Sequence, residues 1–260
     1  MLRLKDRTFI ITGGTSDVGW ALTLNLAAWG ADIAIIDKNP EKAKRIIDEI
    51  SENREKNESN GKAAYIEADL TNHGAVKEAV SKAAETFGGI DGLISGLNTS
   101  KLSQISSPEY LAEFERLIAV NMCSAVYTTQ AVIPFMRGRK RGKIIYLLSD
   151  LVRWGSEFES LTSVTRGGII FYARALAREL ASSNIAVNCV AVGPTEDYLL
   201  NRDPQAASIK EAEGKLLQNM PMGRTLRADE IAQTVAFLAS PLADAVTGQT
   251  WAVNGGLTML

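Results

Sequence analysis

Short apolar runs alternate with longer, helically periodic segments from one end of this chain to the other, and that alternation constrains the fold more than any other feature. Runs that are apolar at nearly every position suit strands buried on both faces, and the helices between them are what parallel crossovers require. The expected strands are Thr8 to Thr12, Asp32 to Asp37, Ala63 to Glu67, Gly92 to Ser95, Lys143 to Leu148, Ala186 to Val192 and Thr250 to Val253. Together they imply one seven-stranded parallel sheet in a single doubly wound α/β domain over residues 1–260, with helices on both faces. A chain of 260 residues with 46% hydrophobic side chains can bury such a core without a second domain.

Between the strands, Val18, Ala21, Leu22, Leu26 and Trp29 share one face of a first helix. Asn39-Pro40 opens a charge-rich second helix with Ile46, Ile47 and Ile50 turned inward. Further helices are expected from His73 to Phe87, Pro108 to Met136 and Thr162 to Ala181. Two segments lack periodicity, Asp150 to Leu161 and Gly193 to Ala206. Both follow strands at the carboxyl edge of the sheet, where open α/β sheets bind their ligands.

Composition narrows the partners. A net charge of -2 and a pI near 5.7 give no basic footprint, so neither nucleic acid nor an anionic membrane is an expected partner. The two cysteines, Cys123 and Cys189, lie in apolar stretches and read as buried free thiols of a reducing compartment. No stretch reads as a membrane span of about 18 apolar residues, and the opening residues lack a signal-peptide pattern, so the expected location is cytoplasmic. The single histidine, His73, begins a surface helix, and no Cys/His cluster implies a metal.

The first strand runs into Thr12-Gly13-Gly14-Thr15-Ser16-Asp17-Val18-Gly19 and then directly into a helix. Such a helix start offers unpaired N–H groups and a positive dipole end to a pyrophosphate. This stretch resembles the TGxxxGxG pattern of the short-chain dehydrogenase/reductase family, a Rossmann-type fold, and the likeness to its 3-oxoacyl-ACP reductase type extends along nearly all of the chain. Gly13 and Gly19 match the first and third glycines, and Asp17 replaces the second. A carboxylate there sets bulk and negative charge against a dianion and should lower dinucleotide affinity, or it simply caps the helix.

The resemblance implies a cofactor-binding set of Gly13, Thr15, Asp17, Val18, Gly19, Asp37, Asp69, Leu70 and Asn98. Asp37, at the end of the second strand, can accept ribose hydroxyls and repel a 2′-phosphate, which favours NAD (NADH) over NADP; its other reading is a cap for the next helix.

Family chemistry is hydride transfer between a nicotinamide and a carbonyl or hydroxyl carbon, assisted by Asn, Ser, Tyr and Lys. Asn121 and Ser149 match the first two. The expected tyrosine position holds Thr162 and the lysine position, four further on, holds Arg166. An aliphatic hydroxyl is a far weaker acid than a phenol of pKa near 10, and a guanidinium stays charged and cannot relay a proton. Tyr146 and Tyr172 read as packing residues.

Trp154, Phe158 and Leu161, with Tyr198, Leu199 and Leu200, fall where the family builds its substrate pocket and lid, and they suit either a bulky ligand or a neighbouring subunit. The resemblance also implies a homodimer or homotetramer and a small-molecule carbonyl or alcohol substrate. Two functions stay open: an oxidoreductase with an altered, impaired proton path, or a non-catalytic member that senses a ligand or partners another subunit.

Overall fold

The computed structural model describes residues 4–56, 61–97, 99, 104–153, 155, 159–195 and 218–259. Its strands are β1 (Thr8–Thr12), β2 (Asp32–Asp37), β3 (Ala63–Glu67), β4 (Gly92–Ser95), β5 (Gly142–Ser149), β6 (Ile185–Val192) and β7 (Thr250–Val253). All run parallel, in the order β3-β2-β1-β4-β5-β6-β7. Each expected run is a strand. β5 and β6 reach a residue further than expected because ladder pairing sets their ends: Gly142 pairs with Ile185 and Ser149 with Val192.

Alternate residues of each strand serve opposite layers, which is why the inner strands β1, β4, β5 and β6 are buried along nearly their whole length while the edge strands β3 and β7 are not. Helices α3 (His73–Phe87), α5 (Ser124–Arg139) and α6 (Ser160–Leu180) cover one face, setting Val80, Val132 and Ile169 among Ile10, Leu93 and Ile144. Helices α1 (Asp17–Ala28), α2 (Pro40–Lys56) and α7 (Ala228–Ala239) cover the other, with Leu22, Ile46 and Val235 among Phe9, Ile11 and Ile33. The strand order reverses between β1 and β4, so the crevice for a ligand opens at the carboxyl ends of those strands.

Several expectations need correction. Helix α7 is absent from the sequence reading because half of its buried stripe is alanine, namely Ala232, Ala236 and Ala239, a weak periodic signal. The single helix expected from Pro108 to Met136 is instead α4 (Tyr110–Leu117), a π-helical turn (Ile118–Cys123) and α5. The stretch Tyr110–Arg139 is also long and apolar enough, by length and composition, to cross a bilayer, contrary to expectation. In this fold α5 buries Ala125, Val132 and Met136 against the sheet and serves as a core helix.

Both cysteines are free, but only Cys189 is buried, its thiol pushed up to about 12 by desolvation. Cys123, expected to be buried, is half-buried at the end of the π turn. His73 opens α3 and its ring packs 5.1 Å from that of Tyr127. Among the described residues no cluster of His, Cys, Asp or Glu could hold a metal ion.

Candidate active site

The turn between β1 and α1 is built by close backbone approach. Gly13 has φ +67°, and a Cβ there would lie 2.7 Å from the amide nitrogen of Leu97. A Cβ on Gly19 would lie 2.3 Å from the carbonyl oxygen of Gly13, so the first turn of α1 sits on the glycine turn only because neither residue has a side chain. Ser16, not Asp17, caps α1: its hydroxyl accepts from the Gly19 amide at 3.2 Å. Asp17 is the first helical residue and is exposed. Val18 is half-buried beside it. The first helical bond runs from the Trp20 amide to the Ser16 carbonyl, so the amides of Asp17 and Val18 are the helix-start donors left for an anion.

The glycine turn is tied to the end of β2. The amide and hydroxyl of Thr15 both donate to Asp37 Oδ2, at 3.0 and 2.7 Å, and the Lys38 amide donates to Oδ1 at 2.7 Å. A carboxylate offers about four acceptor positions, so one remains for a ligand hydroxyl. Asp37 does not cap α2; Asn39 does, accepting from the Lys42 amide at 3.0 Å. Asp69 pairs with Lys38 Nζ at 2.8 Å and accepts from Thr71. Lys38 first and Thr71 second hold its carboxyl down at about 2. Leu70 beside it is buried. Asn98 lies outside the described residues.

Asn121 sits in the π turn, and widened turns of this kind recur at functional sites. Its side chain is buried and largely committed. Nδ2 donates to the Thr99 carbonyl at 2.9 Å and to Thr165 Oγ1 at 3.2 Å, while Oδ1 accepts from the Thr99 amide at 3.1 Å. Both amide protons are spent, so Asn121 clamps the strand β4 exit to α6 and keeps one acceptor position open.

Ser149 ends β5 and is buried. Thr162 and Arg166 lie four residues apart on the buried face of α6, exposed by 0% and 4%. The Thr162 hydroxyl has no hydrogen-bond partner among the described residues. Arg166 and Asn121 line one small cavity with Ser95, Leu97 and Tyr146.

Tyr146 and Tyr172 pack in the core behind this site. The Tyr146 hydroxyl meets Thr129 Oγ1 at 2.6 Å, its ring is 6.1 Å from that of Tyr172, and burial raises its pKa well above the ordinary range. Tyr172 packs against the same core and its pKa is raised, mainly by desolvation. Leu161 is buried, while Trp154, Phe158, Tyr198, Leu199 and Leu200 lie outside the described residues. Sequence reading missed Thr99 and Thr165, the partners of Asn121, because nothing local marks a bond across 22 or 44 positions.

A family model described as "Enoyl-(Acyl carrier protein) reductase" matches residues 13–258, spanning both the glycine turn and the α6 site. This chain belongs to the short-chain dehydrogenase/reductase family. It is 30% identical to the 3-oxoacyl-[acyl-carrier-protein] reductase of Aquifex aeolicus over 258 residues, covering 98% of this chain and 99% of that protein. The corresponding reductase of Chlamydia pneumoniae is 28% identical over 259 residues, with 99% of each chain covered. Among solved structures, a 3-ketoacyl-(acyl-carrier-protein) reductase from Brucella melitensis, complexed with NADH, matches with a TM-score of 0.85 at 26% identity, covering 98% of this chain and 100% of that one. The family is one of oxidoreductases, and its fold covers this chain without a missing layer.

Proposed function

We propose that this chain is a dinucleotide-binding oxidoreductase of its family whose proton-transfer step is impaired, with NADH preferred over NADPH and a small carbonyl or alcohol as substrate. The observation that carries this reading is the pair Thr162 and Arg166, both on the buried face of α6, at the positions where the sequence resemblance expects the family's phenol and ammonium.

The residues at the glycine turn fit a dinucleotide. Gly13 and Gly19 leave room for close backbone approach, the amides of Asp17 and Val18 point an α-helix start at a phosphate, and Asp37 keeps one acceptor for a ribose hydroxyl. Asp37 also repels a 2′-phosphate, which supports the preference for NADH. The exposed Asp17 carboxylate works against a pyrophosphate and lowers affinity without closing the site.

The nicotinamide supplies hydride when bound; the protein must orient the ligand and move the proton. Ser149 donates to the ligand oxygen. Arg166 can hold sugar hydroxyls through its planar fork but cannot relay a proton. Thr162 orients a water at best, since its hydroxyl is too weak an acid to act as tyrosine does. Loss of a positioned general acid costs about 10²- to 10⁴-fold in rate.

The second reading, a non-catalytic partner or ligand-sensing subunit, draws on exposed apolar side chains. Val164 and Phe171 on α6 and Leu111 on α4 are all more than half exposed, which suits a homodimer or homotetramer. Titration with NADH and NADPH, followed by nicotinamide fluorescence, tests the dinucleotide half of the proposal. Saturation at a lower concentration of NADH than of NADPH is expected, and no binding of either at millimolar concentration would refute it.

A further inference from the structure

Asp150 follows Ser149 directly and its carboxylate is fully buried. Oδ1 accepts from Arg153 Nη1 at 3.1 Å, and Oδ2 accepts from Asn254 Nδ2 at 2.8 Å and from Thr258 Oγ1 at 2.6 Å. Asn254 is itself folded onto the same tail. Its amide donates to the Thr258 carbonyl at 2.8 Å, and its Oδ1 accepts from the Gly256 amide at 3.0 Å. The tail also abuts the exit of β6, where the Gly193 amide donates to the Val253 carbonyl at 2.8 Å and a Cβ on Gly193 would lie 2.6 Å from Asn254 Cα.

A buried carboxylate is tolerated only while it is paired and hydrogen-bonded, and bonds to a charged acceptor are the strong ones. The 3₁₀ turn Asp150–Arg153 therefore cannot shift without stranding this charge. The contact spans 104 and 108 positions of sequence, so it is a clasp between two loops and not a local turn.

We propose that Asp150 is a positioning residue: through Asn254 and Thr258, the segment after β7 fixes the backbone that presents Ser149. The ligand end of the site is then complete only while residues 254–258 are docked.

Hydrogen exchange on the full chain tests this without any nucleotide or turnover, so its outcome is separate from that of the proposed function. Thr258→Val should speed exchange in peptides covering residues 149–153 by roughly 10- to 100-fold, the factor of one charge-assisted bond, with β1 and β2 unchanged. Thr258→Ser should restore protection. Asp150→Asn combined with Arg153→Gln, which removes the buried carboxylate together with its partly buried partner, should loosen the same peptides. Unchanged protection at 149–153 in Thr258→Val, loosening of the tail alone, or failure of Thr258→Ser to rescue would each overturn the proposal.

Discussion

The glycine turn at β1 and the α6 site lie on the same edge of one sheet, yet they depend on different parts of the chain. At the glycine turn the work is done mostly by backbone: two glycines that permit close approach, helix-start amides and a threonine that ties the turn to Asp37. Under the proposed function α6 would instead contribute side-chain acidity, and the two residues that would set it are Thr162 and Arg166, both buried on that helix. A site made of backbone depends little on side-chain identity, so the proposed dinucleotide site would tolerate an aspartate at its first helical position. The proposed proton path, by contrast, would depend on the acidity of a single side chain.

The sharpest way to break this comparison is to place a phenol and an ammonium at the two α6 positions. Thr162→Tyr combined with Arg166→Lys should raise NADH-dependent reduction of acetoacetyl-CoA by about 10²- to 10⁴-fold, measured by nicotinamide absorbance. A double variant that folds, binds NADH and stays at background would show that the defect lies elsewhere.

Asp37→Ala comes next. It removes the acceptor for both Thr15 bonds and the Lys38 amide, and should weaken NADH binding about 10- to 100-fold, the loss of one or two bonds to a charged group. Calorimetric titration reads this, and a smaller loss for NADPH is expected because the same change removes repulsion of its 2′-phosphate.

Asp17→Gly acts in the opposite direction at the same end. An exposed charge near a dianion is worth about 1 kcal/mol, so NADH should bind roughly 5-fold tighter at low salt, with the gain shrinking as salt rises. Unchanged affinity would place the Asp17 carboxylate away from the phosphate.

The smallest effect is on acid stability. Asp69 and Glu230 have carboxyls held down at about 2 from ordinary values of 3.8 and 4.5, the first mainly by Lys38 and the second mainly by Arg224. A depressed carboxyl contributes stability above its unfolded pKa and loses it as pH falls towards the folded one. The melting temperature should therefore be flat from neutral pH to about 5 and fall between about 4.5 and 2. Because both groups are partly exposed, solvent screens the effect. Lys38→Met should flatten only the Asp69 share, separating the cofactor end from the Arg224–Glu230 pair.

Much of this was legible in the sequence because buried parallel strands announce themselves residue by residue. Ile33 to Ile36 are apolar on both faces and became β2, flanked by the charges that end it. Helix α6 was legible too, since Thr162 and Arg166 fall on a buried stripe that continues through Ile169 and Ala173. What escaped was whatever depends on partners distant in sequence or on weak patterns. The π turn at Asn121 has no signature in residue spacing, Ser16 and Asp17 are both good caps by type, and the alanines of α7 blur its stripe. Asp150 looked like a loop residue because its partners lie beyond β7.

A single-turnover experiment on the unaltered protein tests the contrast between the two ends most directly. Protein saturated with NADH is mixed with acetoacetyl-CoA, and the decay of nicotinamide fluorescence is followed. Saturable NADH binding with oxidation at least about 100-fold slower than an ordinary enzyme rate near 10 s⁻¹ is expected. Oxidation at that ordinary rate, with Thr162 and Arg166 in place, would contradict the proposed loss of the proton donor.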